Sequence, residues 1–492
     1  MHQEARALPQ EGSPAGAAER PLRVAVIGSG PAGVYAADIL TKSEVVSSGG
    51  LSVSIDLFDR YPAPYGLIRY GVAPDHPRIK GIVNALHKVL DRGDIRFFGN
   101  VDYGTDISLA DLREYYDAVV FATGAIKDAD LNIPGIELEG SFGGADFVSW
   151  YDGHPDAPRD WPLTAKEVAV IGNGNVALDV ARMLSKHADD LLVTEIPDNV
   201  HAALKASPVT DVHIFGRRGP AQVKFTPLEL RELSHSKDVD IILYPEDFEF
   251  DEASDEAIRT NNQTKTMVGT LTNWLVEQDD RPITARRRLH LHFLHNPVEI
   301  TGADGGGGKV SGIRFERNEL DGTGNVRGTG DFIEYPVQAV YRSVGYLGSA
   351  LPDVEFDHRR GIIPNDGGRV LDAAGSPVPG LYATGWIKRG PVGLIGHTKG
   401  DALETITHLL ADRTRLPAAA RPGPEAVVGL LAERGVEYTS WEGWLELDAH
   451  ERSLGEAYSA DPSGTAVARE RIKVVPREEM VAIARDAEGA RI

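Results

Sequence analysis

The sequence predicts an α/β protein with two doubly wound parallel sheets, and three observations support this class. A strand, a glycine-rich turn and a helix follow one another near the amino terminus. The same succession recurs later, and the first glycines of the two turns are Gly28 and Gly172. The next strand of each unit ends at charged side chains, Asp59 in the first and Arg217–Arg218 in the second. Strands that alternate with helices in this way form parallel sheets.

The composition is that of a large globular protein. The chain has 492 residues, of which 42% are hydrophobic. At roughly 100–200 residues per domain, this length predicts two to four domains. The formal net charge is −22, because 73 acidic residues outnumber 51 basic ones. Nucleic acids are bound by clustered lysine and arginine, so this charge argues against a nucleic-acid-binding protein.

The chain contains no cysteine. This absence excludes disulfide bonds, cysteine-ligated iron–sulfur clusters, cysteine zinc sites and thiol nucleophiles. It also excludes an enzyme that works through a redox-active pair of cysteines. Any redox chemistry must therefore come from a bound cofactor, and we expect no metal site.

The amino-terminal segment, residues 1–21, is predicted to be a disordered tail. It lacks the apolar core of a secretion signal, and it carries Glu4, Glu11 and Glu19, which a transit peptide would avoid. The rest of the chain has no apolar run of about 18 residues, so no membrane span is predicted. We expect a cytoplasmic protein.

The first glycine-rich turn reads Gly28-x-Gly30-x-x-Gly33. Glycines at this spacing let the backbone approach a pyrophosphate, and the N-terminus of the following helix adds partial positive charge. Asp59, at the end of the next strand, can accept hydrogen bonds from ribose hydroxyls. An ordinary glycine turn is the alternative, but a strand, a helix and an acid are all in place. The pattern therefore favours an FAD site.

The second turn reads Gly172-x-Gly174-x-x-Ala177, and its answering strand ends in Arg217 and Arg218 instead of an acid. Guanidinium groups are permanently charged and can bind the 2′-phosphate of NADP, which a carboxylate would repel. Two solvated arginines in a loop are the alternative. With both nucleotides in one chain, NADPH would give two electrons as hydride, and FAD could pass them on singly.

The remaining elements follow from apolar runs and from glycine and proline punctuation. The stretch Tyr61–Pro77 is predicted to be a structured loop, and a small mixed segment follows Pro417. A hairpin is predicted from residues 289–300 and 309–320, joined by the glycine-rich stretch 304–309. Strands are predicted at Leu22–Ile27, Leu51–Phe58, Ala118–Phe121, Val168–Ile171, Asp211–Phe215 and Ala339–Val344, and helices at Ile79–Leu90 and at Lys399–Leu410.

Four longer motifs resemble the adrenodoxin reductase-type ferredoxin–NADP⁺ reductases, particularly the bacterial branch found in actinobacteria. They lie at Ala63–Pro77, Gly172–Arg182, Gly216–Glu229 and Gly385–Ile395. The resemblance runs from about Leu22 to the carboxyl terminus. It implies two Rossmann-like domains, with an NADP domain at 127–344 inserted in an FAD domain that comprises 22–126 and 345–492, the latter with a carboxyl-terminal extension.

The resemblance also assigns roles to individual residues of this chain. His76 and Glu229 match a polar pair near the nicotinamide, which makes them the candidate catalytic residues. His76 could instead bond within its turn, Glu229 could simply begin a helix, and Trp386 could be a packing residue. The implied cofactor contacts are Gly28, Gly30, Ala32, Gly33, Asp59, Leu67, Val101, Trp386, Gly393, Leu394 and Ile395 for FAD, and Gly172, Gly174, Asn175, Val176, Arg217 and Arg218 for NADP(H).

A ferredoxin is the implied partner, and family members bind it through basic residues. Arg231 fits such a role, whereas the stretch 260–274, which matches a basic helix of the animal enzymes, has little positive charge. The densest basic run is Arg286–Arg288, which could equally be a solvated start of a hairpin.

Three other functions remain open at this point. The small subunit of a glutamate synthase has similar nucleotide motifs, but it also carries cysteine-ligated clusters, which this chain cannot form. A flavin monooxygenase is less favoured, because the loop at 61–77 is not typical of that class. A flavin-containing binding protein without turnover is the non-enzymatic alternative, and the intact nucleotide motifs disfavour it.

Overall fold

The computed structural model describes residues 20–303, 308–393, 395–459 and 467–489. Leu394, the side chain of Ile395 and most of the predicted tail lie outside the described residues. Of that tail, Arg20 is described, and its guanidinium forms two hydrogen bonds with Asp117, of 2.6 and 2.8 Å. Among the described residues, no helix has both the length and the apolar character needed to cross a membrane.

The strands are short, as is usual for an α/β protein. They are β1 (Leu22–Ile27), β2 (Val53–Phe58), β3 (Ile95–Phe98), β4 (Ala118–Phe121), β5 (Lys127–Asp128), β6 (Ser141–Gly143), β7 (Glu167–Ile171), β8 (Asp211–Phe215), β9 (Val239–Leu243), β10 (Arg287–His292), β11 (His295–Gly302), β12 (Val310–Leu320), β13 (Val326–Tyr335), β14 (Ala339–Arg342), β15 (Tyr346–Leu347), β16 (Asn365–Asp366), β17 (Arg369–Leu371) and β18 (Pro377–Ala383).

The α-helices alternate with these strands over most of the chain. They are α1 (Pro31–Thr41), α2 (Glu44–Ser47), α3 (Leu67–Tyr70), α4 (Pro77–Lys80), α5 (Val83–Leu90), α6 (Leu109–Tyr115), α7 (Gly144–Tyr151), α8 (Asn175–Ser185), α9 (Asp198–Ala206), α10 (Pro227–Ser234), α11 (Glu252–Thr260), α12 (Asn262–Gln278), α13 (Trp386–Arg389), α14 (Ile395–Asp412), α15 (Pro424–Glu433), α16 (Trp441–Ser459) and α17 (Arg477–Gly489).

The first sheet joins strands from both ends of the chain, in the order β16-β17-β18-β4-β1-β2-β3. It is parallel from β18 to β3, and β16 and β17 form an antiparallel edge. Because side chains alternate along a strand, Val24 and Val26 of β1 face one apolar core, and Ala25 and Ile27 face the other. Both faces of this sheet are therefore covered, as parallel sheets require.

The second sheet has the order β6-β14-β7-β8-β10-β9 and is parallel throughout. All its strands lie between Ser141 and Arg342, so this sheet is inserted between the two parts of the first. The predicted α/β class with two parallel sheets and an insertion is confirmed. We call the parts built on the first and second sheets the first and second lobes. The domain boundaries at 126/127 and 344/345 stay predictions, and β5 pairs with β15 beside them.

Two predicted elements are divided in the structure, and several others differ from it only at their ends. The helix predicted at Ile79–Leu90 is interrupted, with α4 capped at Gly81 before α5 begins. The first strand of the predicted hairpin is divided: β10 belongs to the second sheet, whereas β11 turns away at Leu294, which has a φ of 59°, and pairs with β12. Apolar periodicity does not reveal such a change of sheet, because both strands read as one run.

The segment after Pro417 packs against the first lobe. Trp441 and Trp444 of α16 are buried in the core beside β1, and Gly99 and Thr439 pair by two backbone hydrogen bonds, of 2.8 and 2.9 Å. This segment therefore completes the first lobe and also reaches the boundary with the second.

Candidate active site

The first glycine-rich turn has no room for side chains. Gly28 has a φ of +109°, which non-glycine residues rarely adopt. A Cβ atom on Gly33 would lie 1.9 Å from the carbonyl oxygen of Gly28. The turn leads into α1, which begins with Pro31 in the first helical position. The half-buried N-terminus of α1 thus lies at the carboxyl edge of the first sheet, where its free backbone N–H groups can serve an anion site.

A glycine of another loop, Gly66, packs against this turn, and the sequence analysis did not identify it. Gly66 has a φ of +50°, and a Cβ on it would lie 3.0 Å from the Cα of Gly30. The backbone N–H of Tyr65 also donates to the carbonyl of Ser29 over 3.1 Å. The loop at 61–77 therefore packs directly on the nucleotide turn. Its glycine and proline punctuation indicates a structured loop but not what it touches.

Asp59 is buried and is held by the turn itself. Its carboxylate accepts from the backbone N–H of Ser29 over 2.8 Å, from the Ser29 hydroxyl over 2.6 Å and from the N–H of Tyr61 over 2.9 Å. Burial raises the pKa of Asp59, and these donors oppose that shift. A carboxylate has about four acceptor positions, so one remains for a ribose hydroxyl. Val101, also buried, donates its N–H to the carbonyl of Asp59 over 2.9 Å.

The carboxyl-terminal part of the chain supplies another wall of this site. Gly385 precedes Trp386 and has a φ of +75°, and a Cβ on it would lie 2.6 Å from the Cβ of Ala32. Asp401 of α14 accepts from the N–H of Gly385, which fixes this turn. Trp386 and Leu67 are half-buried, and Gly393 is exposed with a φ of +85°. The structure therefore places Ala32 beside the turn that leads into Trp386.

The second glycine-rich turn is equally tight at its first position. Gly172 has a φ of +150°, and a Cβ on it would lie 2.2 Å from the carbonyl oxygen of Ser343. Gly174 caps α8, and no described atom lies within 4 Å of where its Cβ would be, which leaves space above the helix end. The Asn175 side chain accepts from the N–H of Thr226 over 2.9 Å and so also holds the start of α10. Val176 is half-buried in the first turn of α8.

Arg217 and Arg218 follow β8 at the same edge of the second sheet. Arg217 is exposed and Arg218 half-buried. Their backbone carbonyls accept from the Asn318 side chain over 2.9 Å and from the N–H of Leu294 over 3.2 Å, so the backbone is fixed. Within the described parts of the chain, neither guanidinium has a hydrogen-bond acceptor. Two unengaged cations at this position match what a 2′-phosphate requires.

His76 and Glu229 meet at the boundary between the two lobes. His76 Nε2 lies 2.8 Å from Asp179 Oδ1, 2.9 Å from Glu229 Oε2 and 2.8 Å from Arg182 Nη2. Arg182 in turn forms two hydrogen bonds with Asp75, of 2.8 and 2.9 Å. All five side chains are nearly buried. Sequence reasoning named His76 and Glu229 and missed the other three, although all lie within the motifs that it singled out.

This cluster holds a proton on His76 at neutral pH. Burial lowers the pKa of His76, but Asp179 and Glu229 raise it further, to about 9. Burial raises the pKa of Asp75, and Arg182 and Lys186 lower it by more, so that it lies well below its usual range. The cluster is therefore a set of buried charges of both signs, on the side of α8 that faces the first lobe.

A His76→Gln variant should change how stability depends on pH. A histidine with a raised pKa stabilises the folded protein fully below its unfolded pKa of about 6.5, and this contribution is lost as pH rises towards 9. We expect the wild-type advantage over the variant to shrink by about 3 kcal/mol between pH 6 and pH 9.5. Urea midpoints of both proteins across this range measure it, and parallel pH profiles would contradict it.

Four buried histidines line β8, β10 and β11 of the second lobe. The rings of His213 and His290 stack with centroids 4.1 Å apart and an angle of 11° between planes. A metal ion lies in the ring plane of each histidine that binds it, so parallel stacked rings do not converge on one ion. Instead, His213 and His292 share a hydrogen bond of 3.0 Å, and burial lowers the pKa of His295 to about 4. These rings form a neutral stack inside the lobe.

The basic run at Arg286–Arg288 lies only partly at the surface, where Arg286 is exposed. Arg287 is buried and donates to the carbonyl of Ser185 over 3.3 Å, and Arg288 forms an ion pair of 2.5 Å with Asp211. Arg287 and Arg288 begin β10 of the second sheet, which does not pair with β11, so the predicted hairpin start is wrong. Arg231 is exposed on α10. The stretch 260–274 was predicted to have little positive charge. In agreement, Lys265 is the one basic residue of α12.

Comparison with known proteins identifies relatives over nearly the whole chain. The model of the pyridine nucleotide-disulphide oxidoreductase family matches residues 22–211. NADPH-ferredoxin reductase FprA of Mycobacterium tuberculosis is 40% identical over 476 residues, which cover 94% of this chain and 99% of that protein. The mitochondrial NADPH:adrenodoxin oxidoreductase of Arabidopsis thaliana is 36% identical over 451 residues, 89% of this chain and 92% of that protein.

A solved structure agrees with these relatives. Mycobacterium tuberculosis FprA in complex with NADPH superposes with a TM-score of 0.84 at 38% identity, over 94% of this chain and all of that one. Because the chain has no cysteine, the disulphide chemistry in the family's description is not available to it. The predicted resemblance is confirmed: the chain belongs to the family of the NADPH-ferredoxin reductases and NADPH:adrenodoxin oxidoreductases.

Proposed function

We propose that this protein carries electrons from NADPH, through bound FAD, to a ferredoxin. The observation that carries the proposal is the pair of glycine turns at the carboxyl edges of two parallel sheets. The first turn is backed by the carboxylate of Asp59, and the second is flanked by the unengaged guanidinium groups of Arg217 and Arg218. Nucleotides bind at this edge of such sheets.

The first lobe fits FAD. The cradle that a Cβ on Gly28 or Gly33 would fill lets the backbone reach a pyrophosphate, and Asp59 keeps an acceptor position for a ribose. FAD takes up two electrons together and can release them one at a time. The residues proposed to hold it are Gly28, Gly30, Ala32, Gly33, Asp59, Leu67, Val101, Trp386, Gly393, Leu394 and Ile395.

The second lobe fits NADP(H). Open space above Gly174 leaves the end of α8 available to a pyrophosphate. Arg217 and Arg218 would bind the 2′-phosphate, which NADH lacks, so they would set the preference between the coenzymes. The residues proposed to hold NADP(H) are Gly172, Gly174, Asn175, Val176, Arg217 and Arg218.

At the boundary between the lobes, one carboxylate oxygen of Glu229 is available as a hydrogen-bond acceptor. Its Oε2 is buried and, in the part of the chain that the structure describes, accepts no hydrogen bond of good geometry, since the bond from His76 goes to Asp179. An amide N–H is the donor that such an oxygen would bind. We assign Glu229 to the carboxamide of the nicotinamide, and we assign to His76 the role of holding this carboxylate through their ion pair of 2.9 Å.

The electron balance requires two acceptor molecules for each coenzyme. One NADPH supplies two electrons, and a ferredoxin accepts one, so two ferredoxins are reduced for each NADPH oxidised. The relatives named above, an NADPH-ferredoxin reductase and an NADPH:adrenodoxin oxidoreductase, support this acceptor. A cytoplasmic location is part of the proposal, and some relatives are mitochondrial.

Anaerobic stopped-flow measurements with NADPH and with NADH test the proposal directly. We expect purified protein to contain flavin, whose visible absorbance is lost much faster with NADPH than with NADH. Reduction of an added ferredoxin should follow. Protein without flavin would contradict the first site, and equal rates with NADH would contradict the second. Protein that contains flavin but is not reduced by NADPH would revive the non-enzymatic alternative.

A further inference from the structure

Residues 467–477, which we call the strap, lie along the boundary between the lobes and lead into α17 without helix or sheet structure of their own before Arg477. Every second residue from 469 to 473 is buried. In the strap these are Arg469, Arg471 and Lys473, which are 4%, 6% and 4% exposed. Three cationic side chains are thus directed into the protein, where they need acidic or carbonyl partners.

The Lys473 ammonium joins the two lobes at one point. It lies 2.7 Å from Glu195 Oε1 and donates to the carbonyl of Asp152 over 2.9 Å, both in the second lobe. It also donates to the carbonyl of Arg69 over 2.7 Å, in the first lobe. Lys80 of the first lobe contacts the same two acids, at 2.9 Å from Glu195 and 3.2 Å from Asp152. Two lysines and two acidic residues therefore form one cluster of ion pairs across the boundary.

Two further arginines fasten the strap at its ends. Arg469 forms an ion pair of 2.6 Å with Asp198 in the second lobe. Arg477 donates to Asp156 in the second lobe over 2.6 Å, and to the Asn100 side chain in the first lobe over 2.8 Å. The strap thus crosses from one lobe to the other and is bonded to both.

In the first lobe, the strap contacts the loop at 61–77, which also contributes His76 to the candidate active site. Arg69 is in α3, which begins at Leu67, and the same loop continues to His76. The Arg69 guanidinium also forms two hydrogen bonds, of 2.5 and 3.1 Å, with Glu451 of α16, which is fully buried. The strap is therefore bonded to the same loop that carries His76 to the boundary between the lobes.

We propose that the strap is a positioning device, in which Lys473 and Arg477 hold the two lobes at the separation at which bound NADPH can reduce bound FAD. The inference rests on the proposed function. Two bound rings react only when they are held in contact, and a misplacement of about 1 Å can cost on the order of 100-fold in rate. Each nucleotide site lies within one lobe, so loosening the boundary should leave binding intact while it slows reduction.

A Lys473→Met variant tests this inference. It keeps an unbranched apolar stem but removes the charge. At saturating NADPH we expect flavin reduction to slow by roughly tenfold or more. Flavin content, the dissociation constant for NADP⁺ and photochemical reduction of the flavin, which needs no second lobe, should stay within about twofold.

Distances between the lobes supply a readout that does not depend on activity. The chain has no cysteine, so Lys88→Cys and Lys265→Cys, both exposed and one in each lobe, can be spin-labelled without removing native thiols. Electron paramagnetic resonance should show a broader distribution of label distances in Lys473→Met than in the parent. Glu470→Gln, on the exposed side of the strap, is the matched control and should change neither rate nor distribution.

If Lys473→Met fails to fold, Arg477→Gln is the second variant. The Arg477 side chain is 30% exposed, so its substitution should disturb folding less. We expect a slowing of about threefold and a smaller broadening. An unchanged distance distribution in whichever variant folds would overturn the inference, and so would a broadened distribution with an unchanged rate. If the parent is not reduced by NADPH, the proposed function fails instead, and the distance measurement still shows whether the strap holds the lobes.

Discussion

A Gly33→Val variant should be purified almost free of FAD. A Cβ at this position would lie 1.9 Å from the carbonyl oxygen of Gly28 and 3.2 Å from a methyl carbon of Val26. The first contact is with backbone, which cannot rotate away, so α1 would have to move away from β1. The backbone N–H groups that would bind the pyrophosphate move with it. Because each 1.4 kcal/mol lost lowers affinity about tenfold, we expect flavin occupancy of roughly a tenth or less.

The visible absorbance of the purified protein, divided by its peptide absorbance, measures this occupancy. Gly429→Ala is the matched control, since nothing described lies within 4 Å of a Cβ placed there in α15. Binding of NADP⁺ to the second lobe, measured by calorimetry, shows whether Gly33→Val remains folded. A folded variant with full flavin occupancy would mean that the first turn does not bind FAD.

The double substitution Arg217→Gln and Arg218→Gln should remove most of the preference for NADPH over NADH. Hydrogen bonds to charged groups contribute about 1.5–3 kcal/mol each, and both side chains are without acceptors in the part of the chain described here. Loss of both should lower the ratio of kcat/KM for NADPH to that for NADH by roughly 100- to 10,000-fold. Almost all of this change should be a fall in kcat/KM for NADPH, because NADH has no 2′-phosphate for the arginines to bind.

Stopped-flow flavin reduction with each coenzyme measures this ratio. Arg281→Gln, an exposed arginine of the same lobe, controls for the loss of positive charge in general. If the double variant kept its preference, the 2′-phosphate would have to bind elsewhere. If it lost activity equally with both coenzymes, the arginines would serve the fold of the lobe and not recognition.

Local patterns predict the two nucleotide turns and most of their strands. The spacing from Gly28 to Gly33 and the apolar run before it act within a few residues, so the sequence alone indicates strand, turn and helix. The same holds for Gly172–Gly174 and for the arginines after β8. Predictions that required knowledge of partners were less complete. In the basic run Arg286–Arg288, for example, Arg287 is buried and Arg288 is paired with Asp211, which the sequence does not reveal.

His76 illustrates the limit of residue-by-residue comparison. The resemblance pairs it with Glu229, and the structure brings the two within 2.9 Å. The hydrogen bond of His76 goes to Asp179, however, which is 103 residues away along the chain. Nothing in the local sequence distinguishes this aspartate from a solvated helix residue, since its role depends on how α8 faces the loop of the other lobe.

The sequence by itself determined the α/β class, the order of the two nucleotide turns and the residue types at their ends, because each depends on backbone conformation and on short-range periodicity. The tertiary structure alone decided what lies between the two lobes. Buried charges such as Lys473 need partners of opposite charge or carbonyl acceptors, and here those partners come from three distant parts of the chain. Such pairing follows from packing, because a charge can be buried only where the folded chain brings its partners to it.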